Sequence, residues 1–239
     1  MFAKALVSAL LALTLLGPGL MPSYEPDKFM LPEDAKVLVV VEGKEDNTCR
    51  VIGYEKCTGD NGKESWKAVF ATEGNIGAGG MNLNRVRGDK STPVGVWMMN
   101  TPFGQKPALE GFPSDYIQVS KHHVWTDDTN KLIIDETGMI AGERVGADSY
   151  SGFYDYVIDA GFNRNAVTEK GSALFIHCQK GAPAPSSGCV KIPTETMIEL
   201  MKLYGKYGTG KCFIAQGKLG EVDKLYNAYG TNNGLEAKY

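Results

Sequence analysis

Between Ala35 and Gln216 the chain is cut into short apolar runs by glycine, proline, asparagine and aspartate, and this punctuation constrains its fold more than any other feature. Ala35 to Glu42 (AKVLVVVE) and Cys49 to Lys56 are β-rich runs separated by the polar turn Gly43 to Asn47. A second turn, Thr58 to Gly62, leads to the run Trp66 to Thr72. Thr92-Pro93-Val94-Gly95 reads as a turn feeding a strand at Val96 to Met99, with further strands at Tyr116 to Val119, Tyr154 to Ile158, Ser172 to Cys178 and Lys211 to Gln216. The glycine-rich stretch Gly74 to Asn82 lacks the GK[ST] ending and following helix of a phosphate loop, and reads as a plain loop. One stretch has helical spacing. Thr194 is placed to cap it after Pro193, Met197, Ile198, Met201 and Tyr204 share a face, and Gly205 and Gly208 end it. The expectation is one mainly β domain with a helix near its C-terminal end.

A chain of 239 residues, 43% of them hydrophobic, is long enough for one well-filled core. Its net charge of −3 and the lack of a basic run point away from nucleic acid. The first residues differ from the rest. Lys4 precedes an apolar run, Ala5 to Leu16, then Gly17-Pro18-Gly19, with no acid before Glu25. That layout is a secretory signal peptide over residues 1–19 or an uncleaved N-terminal anchor, although a spanning helix needs about 20 apolar residues. A membrane tether through residues 1–21 is the alternative to cleavage. Either way the domain is expected to be exported and to face outward. A proline-containing linker occupies 20–34, the domain 35–216, and a polar tail 217–239. Nothing in the sequence sets the oligomeric state.

Five cysteines remain: Cys49, Cys57, Cys178, Cys189 and Cys212. Five is odd, so a monomer with disulfides leaves at least one thiol over. If Arg50 to Glu55 is a straight strand, it holds Cys49 and Cys57 roughly 25 Å apart, too far for a bond.

The segment richest in chemistry is Gly171 to Pro193, GSALFIHCQKGAPAPSSGCVKIP. A strand delivers His177 at its end, and a loop of glycine and proline returns to Ser186-Ser187-Gly188-Cys189. A thiol is only a few per cent ionised at neutral pH and needs a nearby base to act as a nucleophile. Cys189 is the candidate nucleophile and His177 its candidate base. Gly188 permits close backbone approach, so that main-chain N–H groups there are candidates to hold an oxyanion. Lys191 alternates with Val190 and Ile192 and is expected on the side of Cys189, favouring a thiolate or a carboxylate substrate. Spacing alone also fits a packing histidine and a buried or disulfide-bonded cysteine.

The segment resembles the catalytic motif of the L,D-transpeptidase (YkuD-type) family, in which a strand-end histidine precedes a [ST]-x-G-C element, here Ser186, Gly188 and Cys189. Gly88-Asp89-Lys90-Ser91-Thr92-Pro93-Val94-Gly95-Val96-Trp97 is similar to that family's GD-x-x-TP-x-G segment. Phe103-Gly104, Tyr154-Asp155-Tyr156 and Asn163 resemble its intervening section, and the likeness spans roughly Val69 to Ala215. There are departures. The common form is SHGC, and Ser187 stands where that histidine would be. The loop from His177 is shorter, and Cys178 replaces a small residue.

The resemblance implies a YkuD-like β-sandwich of short strands with one helix after the catalytic cysteine. It implies a peptidoglycan L,D-transpeptidase, a cysteine-dependent acyltransferase that acts on stem peptides without metal or organic cofactor. Cys189 would attack the carbonyl between the third residue and D-Ala, release D-Ala, and pass the thioester to a second stem as a 3→3 cross-link. Ser186, Ser187 and Lys191 would contact substrate, and the carbonyl of Cys178 would orient His177. Water in place of the amine would make an L,D-carboxypeptidase. Rivals from other classes are a non-catalytic wall-binding domain and a zinc site using His122, His123, His177 and cysteines, for which the spacing fits no zinc motif. Trp66, Trp97 and Trp125 read as core.

Overall fold

The computed structural model describes residues 25–230. The signal or anchor segment expected at 1–19 lies outside the described residues, as do residues 20–24 and 231–239. Among the described residues no helix is long and apolar enough to cross a membrane.

The β-branched runs at the start form an antiparallel meander of β1 (Val37–Gly43), β2 (Thr48–Thr58) and β3 (Glu64–Asn75). Two short strands, β4 (Met81–Asn82) and β5 (Thr92–Pro93), pair in parallel and lead into β6 (Gly95–Met98) and β7 (Asn100–Gly104). After β8 (Ile117–Gln118), a small sheet of β9 (His123–Thr126), β10 (Leu132–Ile134) and β11 (Gly142–Glu143) folds apart from the rest. The chain closes with β12 (Val157–Asp159), β13 (Phe175–Cys178), β14 (Val190–Ile192), helix α1 (Thr194–Tyr207) and β15 (Cys212–Lys218). Ten strands join in one sheet in the order β6-β15-β1-β2-β3-β14-β13-β12-β7-β8. The fold is the expected mainly β sandwich with one helix after Cys189.

Alternation along each strand divides the core. Val37, Val39 and Val41 face one layer with Met197, Leu200, Met201 and Tyr204 of α1, while Leu38 and Val40 face a second with Phe213, Val222 and Leu225. A third cluster, Phe103, Trp125, Val157 and Phe175, fills the space beneath the small sheet. Period-2 burial on both faces is why β1 is apolar at every position but its last two. Trp97 and Trp125 are buried, as read from the sequence, and Trp66 is half-buried against the second cluster.

Several local expectations differ from the structure. Pro193, not Thr194, is the N-cap of α1, and no side chain caps it. Gly205 lies inside the helix, where its missing Cβ admits the Gly111 carbonyl 2.4 Å from the Cβ position, and only Gly208, at φ +80°, ends it. Gly74 to Asn82 is not a plain loop: it carries the end of β3, a bridge from Gly77 to Ser186, and β4. Thr92-Pro93 is a strand rather than part of a turn, and the strand expected from Tyr154 begins only at Val157. Phe29 is buried and Met30 N–H donates to the Tyr226 carbonyl, so the described parts of the linker and tail pack together. All five cysteines are free thiols; β2 carries a bulge between Gly53 and Tyr54, and Cys49 and Cys57 stand near its opposite ends.

Candidate active site

The pleat of two adjacent strands assembles the site. β13 and β14 are parallel neighbours, with Ile176 opposite Val190, His177 opposite Lys191 and Cys178 opposite Ile192. Ile176, Cys178, Val190 and Ile192 all point into the helix-side core. The alternate positions therefore face the other way, and His177, Cys189 and Lys191 line one pocket of about 620 Å³. Cys178 is buried in the core.

His177 is 4% exposed, and its Nδ1 lies 2.9 Å from the carbonyl oxygen of Cys178. With Nδ1 protonated and donating there, Nε2 is left as the basic nitrogen. Burial lowers the imidazole pKa to about 4, against the raising effect of that hydrogen bond. The rings of Tyr154 and Phe153 stand edge-on to it, with centroids 5.0 and 6.5 Å away.

The Cys189 thiol lies between two backbone groups: Phe175 N–H donates to Sγ at 3.4 Å, and Sγ–H donates to the Ala173 carbonyl at 3.4 Å. Burial pushes its pKa up to about 12, Glu143 adds to the rise, and Arg85 opposes it. Lys191 and Cys189 do favour one another's charged forms, as their placement on one side suggests, but burial outweighs this, and thiol and imidazole are both neutral at pH 7. Lys191 is itself buried, with its pKa lowered by burial, and its ammonium lies 5.8 Å from the Phe153 ring and 3.5 Å from the Pro185 carbonyl.

The loop before the cysteine is held by its own serine. Ser186 Oγ donates to the Cys189 carbonyl at 2.5 Å and accepts from Gly188 N–H at 3.0 Å. Two expectations change here. Ser186 shapes the loop from within, although it also borders the pocket, and the Gly188 N–H proposed for an oxyanion is already engaged. Gly188 sits at φ +136°, where a Cβ would come 2.8 Å from the Ser91 carbonyl oxygen. Ser187 is exposed at the pocket edge.

The Gly88-to-Trp97 segment braces this loop from outside. Thr92 Oγ1 accepts from Gly77 N–H at 2.9 Å and donates to the Gly188 carbonyl at 2.8 Å. Asp89 accepts from Ser91 N–H and Oγ–H at 2.8 and 2.7 Å and from Val86 N–H at 3.0 Å, forming a tight turn. Buried Arg85 donates from Nε to the Ser91 carbonyl and from Nη1 to the Lys170 carbonyl, both at 2.9 Å. Asn163, at φ +56°, donates to the Gly171 carbonyl at 2.7 Å and fixes the entry to β13.

Sequence reading missed Arg85, Glu143, Tyr150 and Phe153, which line the same pocket. Arg85 stands just ahead of the Gly-Asp segment, close enough that the segment's role as a brace would have pointed to it. Glu143 carries no local signal, because β11 brings it to the pocket only by pairing with β9. His122 and His123 are not in this pocket: His122 Nδ1 lies 3.2 Å from Glu136, and His123 Nδ1 accepts from Ser120 N–H at 3.0 Å. Among the described residues, no group of three or more His, Cys, Asp or Glu side chains is arranged to hold a metal ion.

A neutral imidazole anchored on a main-chain carbonyl, sharing a pocket with a half-buried thiol just ahead of the next strand of a β-sandwich, defines a class of cysteine-dependent acyl-transfer domains. Within that class the chain belongs to the L,D-transpeptidase catalytic domain family (YkuD), whose sequence model matches residues 37–209. No curated protein matches the chain. Among solved structures it is similar to Bdellovibrio bacteriovorus Bd1075, at 14% identity and a TM-score of 0.38, over 84% of this chain and 56% of that one.

Proposed function

We propose that this protein is a peptidoglycan L,D-transpeptidase in which Cys189 is the nucleophile and His177 the general base and acid. The observation that supports this most is that His177, on β13, and Cys189, the residue just ahead of the parallel neighbour β14, line a single pocket. Because the thiol is neutral at rest, proton removal and attack are coupled. Sγ bonds to the carbonyl that precedes D-Ala while its proton passes to His177. The tetrahedral intermediate then breaks its C–N bond, and His177 returns the proton to the departing D-Ala amine, leaving a thioester. An amine of a second stem peptide attacks the thioester. A C–N bond forms, C–S breaks, and the amine's proton reaches sulfur by way of His177. The Cys178 carbonyl keeps the imidazole in the tautomer this requires. The reaction needs no metal or organic cofactor. Export to the cell wall, through a signal peptide or a tether in residues 1–21, belongs to the same reading.

The test is mass spectrometry of muropeptides after incubation of disaccharide-tetrapeptides with the protein under mild reduction. A dimer lighter by one D-Ala supports transpeptidation, and loss of D-Ala alone makes the protein an L,D-carboxypeptidase. Cys189→Ala is expected to lower either product at least about 10³-fold, whereas full activity in that variant would end the proposal. A wild-type protein that leaves both muropeptide and thiol unchanged would favour a wall-binding domain.

A further inference from the structure

The pocket holds one carboxylate that the proposed chemistry does not use. Glu143, on β11, is half-buried and lines the pocket with Cys189 and His177. The Tyr154 hydroxyl donates to its Oε1, and Tyr150 hydrogen-bonds to it as well. The two tyrosine rings stack with centroids 4.5 Å apart and planes 2° from parallel. No cation neutralises this carboxyl among the ion pairs of the described residues. Arg144, next in sequence, pairs with Asp135, and Arg87, across the pocket, pairs with Asp127, each at 2.6 Å. Lys180 and Lys191 lie over the ring of Phe153. Burial and the nearby Asp127 push the Glu143 carboxyl above its ordinary range. A half-buried carboxyl without a countercharge, held by two tyrosine hydroxyls and open to a pocket, is an environment that takes up an ammonium ion.

We propose that Glu143, Tyr150 and Tyr154 form the subsite that binds the side-chain ammonium of a diamino-acid residue in the substrate. This deepens the transpeptidase reading and rests on it for the identity of the substrate. Two sources share the chemistry: the attacking amine of the acceptor stem, and the side-chain ammonium of the donor beside the bond that breaks.

The first experiment needs no turnover. The full domain carrying Cys189→Ala is titrated with Nα-acetyl-L-lysine amide and with its Nε-acetylated twin, and binding is followed by backbone amide chemical shifts. The cationic probe is expected to bind about tenfold more tightly, with shifts at residues 142–154, and Glu143→Gln is expected to abolish that preference. Tyr150→Phe, which keeps the ring and removes one hydrogen bond to Glu143, is expected to weaken the preference without abolishing it. Equal binding of the two probes, or a preference retained in Glu143→Gln, would overturn the proposal. The second experiment separates the sources. In Glu143→Gln, a fall in aminolysis relative to hydrolysis assigns the subsite to the acceptor. A fall in Cys189 acylation by a native donor, but not by one whose side-chain amine is acetylated, assigns it to the donor. A wild-type protein that no stem peptide acylates would remove the transpeptidase reading, while the probe titration would still decide the ammonium subsite.

Discussion

Thr92 joins two segments that are far apart in sequence. Its hydroxyl accepts from Gly77 and donates to Gly188, so one atom ties the end of the meander to the residue before Cys189. Thr92 is fully buried, and a valine there would keep the volume but leave a buried N–H and a buried carbonyl without partners. Each such orphan costs about 1–3 kcal/mol. Thr92→Val is therefore expected to lose about 2–6 kcal/mol of stability by urea denaturation, with acylation of Cys189 falling at the same time. Retained stability with lost acylation would mean the hydroxyl matters only for the local pose of the loop. Ser186 has the corresponding role from inside the loop, and Ser187, where the common motif of the family has histidine, makes none of these internal bonds.

At the scale of elements, α1 supports the sheet from the face opposite the pocket. Met197, Leu200, Met201 and Tyr204 are all fully buried against β1, β3 and β13. Leu200→Ala is expected to cost about 2–5 kcal/mol through the cavity it leaves. The measurable signature is a lowered unfolding midpoint with an unchanged KM for a donor peptide, since Leu200 does not reach the pocket. The helix is legible in the sequence because its apolar positions recur at a period of 3.6, and β1 and β13 because they are near-continuous apolar runs buried at every position. Alternation of Lys191 with Val190 and Ile192 places it on the side of Cys189, and both line the pocket. The short strands β4, β5 and β11 were not legible, because two residues carry no period and their pairing partners lie elsewhere in the chain. Glu143 went unseen for that reason. Tyr154 was misread as strand because an aromatic run reads as β, whereas here Tyr154 packs against Phe103, Phe175 and His177 just before β12 begins.

Over the whole molecule, two buried titratable groups work against each other. His177 has a folded pKa of about 4, lowered from 6.5 by burial, so the folded state binds fewer protons than the unfolded chain between these values. Its contribution is present above 6.5 and is lost as pH falls toward 4. Asp159, on β12, is raised from 3.8 to about 7 by burial. Its contribution has the opposite sign: present below 3.8, lost as pH rises through about 7. The two slopes oppose one another between about pH 4 and 6.5, and the native chain is expected to show a flat stability profile there. Removing one group exposes the other. Asp159→Asn is expected to grow more stable as pH rises from 4 to 6.5, and His177→Asn less stable from 4 to 7, both read from urea midpoints measured in steps of pH. Parallel profiles in the two variants would contradict the assignment.

The parallel pairing of β13 and β14 has a further consequence. Neighbouring strands stand about 4.8 Å apart wherever they are hydrogen-bonded. His177 stands opposite Lys191, while Cys189 lies just ahead of β14 beside Phe175, so the sheet acts as a caliper set on the diagonal, with the imidazole on one jaw and the thiol on the other. The exposed span above it, residues 181–185, sets no distance between them. Lengthening, shortening or rewriting residues 181–184, ahead of the Pro185 carbonyl that Lys191 meets, is expected to leave the opening of the caliper unchanged.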